Sequence, residues 1–335
     1  MPRQYQGSII SKSPITPAGP YQCGKASGVW TIDQMVGWQK AGLWPVAGNV
    51  QTGNLAIFAL GSVSCTPSTT RNKYTYSGCV NASATSSSAT SNAGSAAGNS
   101  VAGIFTLGNS TTTRNKYTYA GCVNASATAA SCTRLFGAAT GNSTVGIFAL
   151  GGSSPYRDKY TYSGCVVTAA TNSSPNSCRG AAAGNSTVGI FALGANSGNP
   201  SNVRNKYTYA SNVNCGATAS DRGSKGGFAT GNSTVGIFAI GQNGCFVRCC
   251  VLNKYQYSND TNTASGSLTA ASIAGSAAGN ACVGIFALGC ISGVGPSTTR
   301  NKYTYASNVV TTAGSASALS AFGAAASNGT TGVNV

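Results

Sequence analysis

Histidine and glutamate are both missing from this 335-residue chain, and its only acidic side chains are Asp33, Asp158, Asp221 and Asp260. These absences exclude most enzyme chemistry from the expectation. A general acid–base pair needs two titratable groups whose environments set them apart, and four scattered aspartates do not supply one. Copper or zinc held by imidazole has no ligands here, and no Cys-x-x-Cys pair replaces them. Serine and threonine are plentiful but lack a base. We expect no enzyme, no metal and no cofactor. No run approaches the roughly 18 apolar residues of a membrane span, and the N-terminus lacks the apolar core of a signal peptide. Charged residues make up only 7% of the chain. So little charge usually warns of disorder, but the apolar segments recur too regularly for that.

What is present is a repeat. Its first core reads AIFALG at 56–61, GIFTLG at 103–108, GIFALG at 146–151 and 189–194, GIFAIG at 236–241 and GIFALG at 284–289. A second core follows each: RNKYTY at 71–76, 114–119, 204–209 and 300–305, RDKYTY at 157–162 and LNKYQY at 252–257. The phenylalanines Phe58, Phe105, Phe148, Phe191, Phe238 and Phe286 are spaced by 47, 43, 43, 47 and 48 residues. A fixed period in this range marks a repeat architecture. Within one unit, two apolar runs at 180–183 and 187–193 flank Gly184-Asn185, which predicts a hairpin with a type II′ turn. In NKYTY, Lys206 and Thr208 point one way and Tyr207 and Tyr209 the other, as in a strand. A softer run at 165–171 gives a fourth strand. Four strands per unit predict a propeller blade.

The order R-x-x-x-A-A-x-G-N-x-x-x-G-I-F-x-L-G-G, a loop and then a Tyr-containing strand resembles a kelch repeat over about residues 46–335. Gly-Gly stands once, at Gly151-Gly152, and the late tryptophan of a kelch blade is absent. The opening arginine is visible at Arg134 and Arg179. The GIFALG…RNKYTY pairing is similar to kelch-like arrays in structural proteins of tailed bacteriophages. That resemblance implies an all-β, kelch-like β-propeller of about six blades of four antiparallel strands, with a short N-terminal arm and one helix. It also implies a virion protein: a tail fibre, tail appendage or capsid-surface component, made in the host cytoplasm without a signal peptide.

Residues 1–45 stand apart from the array at 46–335. Residues 1–29 form an extended arm that either frays or docks on a partner. Residues 30–45, WTIDQMVGWQKAGLWP, predict a helix with Thr31 as N-cap and Gln34 completing a capping box. Gly42 and Pro45 read as its end. The chain's three tryptophans, Trp30, Trp38 and Trp44, all lie here. They are candidate attachment residues toward other virion proteins of tail, portal-proximal region or capsid, or toward further copies of the chain. The alternative is a helix that plugs one mouth of its own propeller.

The first repeat lacks a clean hairpin, and FGAAASNGTTGVNV at 322–335 echoes FGAATGNSTVGIF at 136–148. Closure of the ring by the C-terminal strand follows, since it removes sheet edges. An open array or an intertwined trimer competes with this. Thirteen cysteines include Cys79, Cys122 and Cys165 at one equivalent position. Cys122–Cys132 and Cys165–Cys178 are candidate within-blade disulfides, with free thiols as the alternative. The Asn-x-Ser/Thr triplets at 81–83, 124–126, 142–144, 185–187 and 232–234 read as turn chemistry.

Net charge is +16, and eleven of the 20 basic residues sit in the second core: Arg71, Lys73, Arg114, Lys116, Arg157, Lys159, Arg204, Lys206, Lys254, Arg300 and Lys302. In a closed propeller they form a basic ring. It either guards strand edges or binds an anion: an acidic host-surface glycan, a lipopolysaccharide phosphate or another virion protein. A nucleic-acid-binding protein is the second function considered. Charge repeated around a ring, without a groove or stacking platforms, speaks against it. The missing secretion signal speaks against a bacterial surface adhesin.

Overall fold

Each GIFALG segment is the second strand of an antiparallel sheet. A computed structural model of the chain describes residues 30–40, 55–63, 66–133, 135–192 and 194–329. The arm at 1–29, Trp44 and Pro45 lie outside the described residues. In the third sheet the strands run Ala138–Gly141, Val145–Ala149, Arg157–Thr161 and Val166–Ala170, each paired antiparallel with the next. The pattern recurs around the second strands Leu55–Ala59, Ala102–Thr106, Val188–Ala192, Val235–Ala239 and Val283–Ala287. The protein is an all-β, six-bladed propeller, with one short helix among the described residues. Blade 5 is extended: its outer strand Thr261–Ile273 also pairs with Cys290–Ile291, giving a six-stranded sheet.

Blade 1 is built from the first and the last of the described strands. Ala324–Ser327 pairs antiparallel with Leu55–Ala59, and Ala325 faces Phe58. In blade 3 Ala139 faces Phe148 in the same register. The C-terminal strand thus stands where every other blade has its own first strand.

Both faces of a blade are buried against its neighbours, so the core divides into six clusters, one per seam. Between blades 2 and 3, Ala97 and Ile104 meet Phe148, Leu150, Tyr160 and Tyr162. Between blades 1 and 2, Ile57 and Ala59 meet Phe105, Tyr117 and Tyr119. Alternation along the second strand sends isoleucine to the following blade and phenylalanine to the preceding one. All six repeat phenylalanines are no more than 2% exposed, and truncating such a ring to alanine costs about 3–5 kcal/mol. Two glycine positions have a steric cause. Gly108 has φ +63°, and a Cβ there would lie 2.1 Å from the Asn92 carbonyl oxygen. A Cβ on Gly146 would lie 2.8 Å from the Tyr162 hydroxyl.

The first hairpin differs from the expected turn. Strands Ala181–Gly184 and Val188–Ala192 enclose a three-residue loop, 185–187. Asn185 holds it, its Oδ1 accepting from the backbone N–H groups of Thr187 and Val188, each at 2.9 Å. Asn185 N–H keeps its backbone bond to the Val188 carbonyl at 2.9 Å, and the side chain takes the place of the return bond only. Asn142 and Asn232 do the same. Their triplets are turn chemistry, as the sequence suggests. The triplets at 81–83 and 124–126 are not: they lie in outer strands Val80–Ala84 and Val123–Ala127.

The N-terminal helix spans Ile32–Lys40. Its capping box is formed reciprocally: Thr31 N–H donates to Gln34 Oε1 at 3.0 Å, and Gln34 N–H donates to Thr31 Oγ1 at 3.2 Å. The residues expected to end it, Gly42 and Pro45, lie outside the described residues.

Candidate functional site: the variable mouth of the propeller

The basic ring of the second core is not a surface. Alternation along the third strand turns Arg and Lys into the seam with the following blade. Arg71, Arg114, Arg157, Arg204 and Arg300 are at most 2% exposed. Each guanidinium lies over the phenylalanine of the following blade: Arg71 on Phe105 at 4.7 Å, Arg157 on Phe191 at 4.4 Å and Arg300 on Phe58 at 4.4 Å. Each also donates to acceptors on that blade. Arg300 bonds Asn72 and Asn81, Arg71 bonds Asn115 and Asn124, Arg157 bonds Asn205 and Asn214, and Arg204 bonds Asn253 and Asn262. Burial lowers the pKa of all five guanidiniums by desolvation. Stacking and fixed amide oxygens compensate a buried cation without a counter-charge.

Two seams depart from this, each with a matching change. Blade 3 has Val167 where blades 1, 2, 4 and 5 offer an outer-strand asparagine, and there Asp158 replaces the inner one and pairs with Arg114 at 2.7 Å. Blade 5 has Leu252 in place of arginine, and it packs in one cluster with Leu268 and Val310 of blade 6. The lysines are half-buried in the same seams. Lys206 pairs with Asp260 at 3.3 Å, and Lys254 donates to Asn308 at 3.0 Å. Lys73, Lys116 and Lys302 reach cysteine sulfurs. Lys159 is half-buried as well.

The two candidate disulfides are not formed: Cys122, Cys132, Cys165 and Cys178 are all free. The Cys122 and Cys165 thiols point at the carbonyls of Tyr119 and Tyr162 in their own turns, each at 3.8 Å. Trp30 and Trp38 are half-buried on or beside the helix, and Trp44 lies outside the described residues.

The channel on the propeller axis carries little chemistry. Ala96, Ala139, Ala182, Ala229, Ala277 and Ala325, one from each first strand, line a space of about 80 Å³. At one end it opens into a mouth that sequence reasoning missed. Ala93, Phe136, Arg179, Gly226, Ala274 and Phe322, one before each blade's first strand, all adopt the left-handed region, with φ between 56° and 66°. Their backbones close a ring of hydrogen bonds, the N–H of each donating to the carbonyl of the residue one blade back. Phe136 donates to Ala93 at 2.9 Å, Arg179 to Phe136 at 2.9 Å, and Phe322 to Ala274 at 2.7 Å. Non-glycine residues held left-handed cost of order 1–3 kcal/mol each and persist only where surroundings over-determine them; here the ring does so.

The backbone of this ring is sixfold, but its side chains are not. Arg179 lies 4.3 Å above the Phe136 ring, and Phe136 meets Phe322 edge to face at 5.7 Å. Lys225 sits 5.6 Å from the Phe246 ring and donates to the Gly198 carbonyl at 3.0 Å. Arg222 and Arg248 flank it in the same and the neighbouring loop, with Asp221 beside Arg222 at 3.6 Å. Phe246 and Val247 are more than half exposed. The recess at the ring itself, lined by Phe136, Arg179, Lys225, Gln242, Ile273 and Phe322 among others, measures about 60 Å³. At the opposite end the turns repeat almost unchanged: Asn99, Asn142, Asn185 and Asn232 each donate to a backbone carbonyl of the next blade. One face of the propeller is thus constant, and the other varies blade by blade.

No family model matches the chain. No curated protein matches it. Among solved structures it resembles the structure of YjhT, with TM-score 0.60 and 13% identity over 78% of this chain and 97% of that chain. The likeness is one of fold, a β-propeller. No helix among the described residues is long and apolar enough to cross a membrane.

Proposed function

We propose that this chain is a non-catalytic binding and structural propeller, a component of a tailed-phage particle whose variable face engages an acidic glycan or phosphate-bearing polymer of the host surface. The observation that carries the binding reading is the contrast between the faces. The seams repeat nearly residue for residue, while the mouth sets unlike side chains about an unvarying backbone ring: Arg179 and half-buried Phe136 on the ring, and Arg222, Lys225 and exposed Phe246 in the loops beside it. Aromatic rings beside cations suit a ligand that offers both an apolar face and negative charge. The virion assignment rests on the resemblance of the repeat.

The protein should be retained on an immobilised acidic polysaccharide in a salt-dependent way. Replacing Arg179 and Lys225 by alanine together is expected to weaken retention about tenfold or more, since a hydrogen bond to a charged group contributes about 1.5–3 kcal/mol. The melting temperature should fall only slightly, because both side chains cross to the neighbouring blade at the rim, Arg179 over Phe136 and Lys225 to the Gly198 carbonyl, and neither belongs to a buried cluster of the seams. Unchanged retention in the double variant would remove this face from the binding reading.

Residues 1–45 serve attachment in this proposal, with Trp30, Trp38 and Trp44 as anchors toward another virion protein or a further copy, as aromatics at protein contacts commonly do. A chain starting near Pro45 is expected to fold yet fail to enter particles, read by immunoblotting of purified virions. A shortened chain that still incorporates would assign attachment elsewhere.

A further inference from the structure

Three of the turns that join third to outer strands carry cysteine in the left-handed region: Cys79, Cys122 and Cys165, each with φ 51°. The equivalent residues of the other blades are Asn212, Asp260 and Asn308, with φ of 55°, 57° and 55°. Asparagine and aspartate are the non-glycine residues that accept this conformation most readily. Cysteine has no such preference, so the backbone does not account for its presence three times over. The neighbouring side chain offers an account. Asp260 and Asn308 each accept from a lysine of the preceding blade, Lys206 at 3.3 Å and Lys254 at 3.0 Å. At the cysteine seams the same lysine meets sulfur: Lys302 to Cys79 at 3.9 Å, Lys73 to Cys122 at 4.0 Å and Lys116 to Cys165 at 4.0 Å. Each thiol is directed at a tyrosine carbonyl in its own turn, Tyr76, Tyr119 or Tyr162. The sulfur faces the amine and the phenol of its own blade, Tyr74, Tyr117 or Tyr160, and of these two the amine is the stronger nucleophile. All three sulfurs are free, and their residues are half-buried, within reach of a small oxidant.

We propose that these pairs are oxidative cross-linking sites, at which a peroxide joins Cys79 to Lys302, Cys122 to Lys73 and Cys165 to Lys116 through sulfur–nitrogen bonds. The thiol first attacks one peroxide oxygen. An S–O bond forms, the O–O bond breaks, and sulfenic acid and water result. The unprotonated lysine amine then attacks that sulfur. An S–N bond forms, the S–O bond breaks, and the departing hydroxide takes a proton from nitrogen and leaves as a second water. Sulfur is oxidised, the peroxide is reduced to two waters, and the protein loses two hydrogens per bridge. Sulfenic acids condense with a thiol or with a backbone nitrogen, and at each of these seams the side-chain nucleophile in contact with the sulfur is the lysine amine. The bridges would staple blades 6 to 1, 1 to 2 and 2 to 3. The first of these is a seam of the blade completed by the C-terminal strand.

The test exposes the full native chain to hydrogen peroxide and maps it by peptide mass spectrometry. Cross-linked peptides joining Lys302 to Cys79, Lys73 to Cys122 and Lys116 to Cys165 are expected, each lighter than its separate peptides by two hydrogens. The melting temperature should rise and return after treatment with a thiol reductant. Cys79→Asp, which Asp260 shows to be accepted at this position, should remove the first bridge and keep the other two. Cysteines 79, 122 and 165 that carry only added oxygen, or that pair with other cysteines while the three lysines stay unmodified, would overturn the proposal.

Discussion

Removing residues 320–335 is expected to collapse the thermal stability of the whole propeller rather than trim one end of it. The deleted segment contains Ala324–Ser327, the first strand of blade 1. Without it Leu55–Ala59 keeps only its pairing with Arg71–Thr75. Asn328 also leaves, and with it the 2.8 Å bond that its Oδ1 accepts from Leu55 N–H. So does Phe322, one of the six links in the hydrogen-bonded mouth. Two buried residues, Ala324 and Ala326, are lost from the cluster between blades 1 and 2. Individually these losses are modest, about 0.5–1.5 kcal/mol for each hydrogen bond. They coincide at the one place where the ring is closed by non-covalent pairing of distant chain segments, and they open edges that no other blade exposes. A domain of marginal stability, typically about 5–15 kcal/mol, does not absorb them. The expected result is a melting temperature lowered by well over 10 °C, since about 1 kcal/mol moves a domain by several degrees. Circular dichroism on heating reads it, and an unchanged melting temperature would mean that the closing strand is dispensable.

The strands and the closure were legible in the sequence because they rest on period-2 alternation and on exact recurrence. Phe58 and its equivalents, Tyr207 against Lys206, and the echo of 136–148 in 322–335 are all local patterns. The Thr31–Gln34 box is legible for the same reason. What misled was arginine. A repeated Arg reads as a solvated face, because the sequence of one blade does not display the acceptors of the next. The signal lay in pairs of repeats. Wherever a blade ends its loop in arginine, the following blade offers asparagine or aspartate; where Leu252 stands instead, the following blade has Val310. The mouth was missed because Ala93, Phe136, Arg179, Gly226, Ala274 and Phe322 share a backbone conformation but no side-chain chemistry. The invariant feature there is the glycine that follows each of them, from Gly94 to Gly323. The disulfide reading failed because sequence spacing fixes neither the direction of a side chain nor the blade that it faces.

Steep alkaline unfolding is the second large effect expected. The last tyrosine of each second core, Tyr76, Tyr119, Tyr162, Tyr209, Tyr257 and Tyr305, places its phenol in a seam beside the first strands. Burial raises the pKa of all six, by desolvation above any other cause, with neighbouring phenols adding to it in most. The hydroxyls of Tyr119, Tyr162 and Tyr257 have no hydrogen-bond partner among the described residues, so nothing stabilises a phenolate there. An unfolded chain ionises its tyrosines near pH 10. Above that point the folded state holds more protons than the unfolded one, so stability falls as pH rises. The contribution is whole below pH 10 and is lost on the way up to the folded-state values. Each such phenol gives a slope of up to about 1.4 kcal/mol per pH unit, and six together about 8 kcal/mol per pH unit. The five buried arginines, whose pKa burial lowers, act in the opposite direction, but the guanidinium resists deprotonation in proteins. One to two pH units above 10 therefore suffice to exhaust a typical stability. A urea midpoint constant from pH 7 to 9.5 and falling abruptly beyond pH 10, coincident with phenolate absorbance, is the expected record. Tyr119→Phe and Tyr162→Phe should move the alkaline transition upward without loss of stability at pH 7, since each removes an unpaired buried hydroxyl. Phenolate absorbance that grows in while the fold stays intact would show that these rings reach solvent and that the seams are not closed.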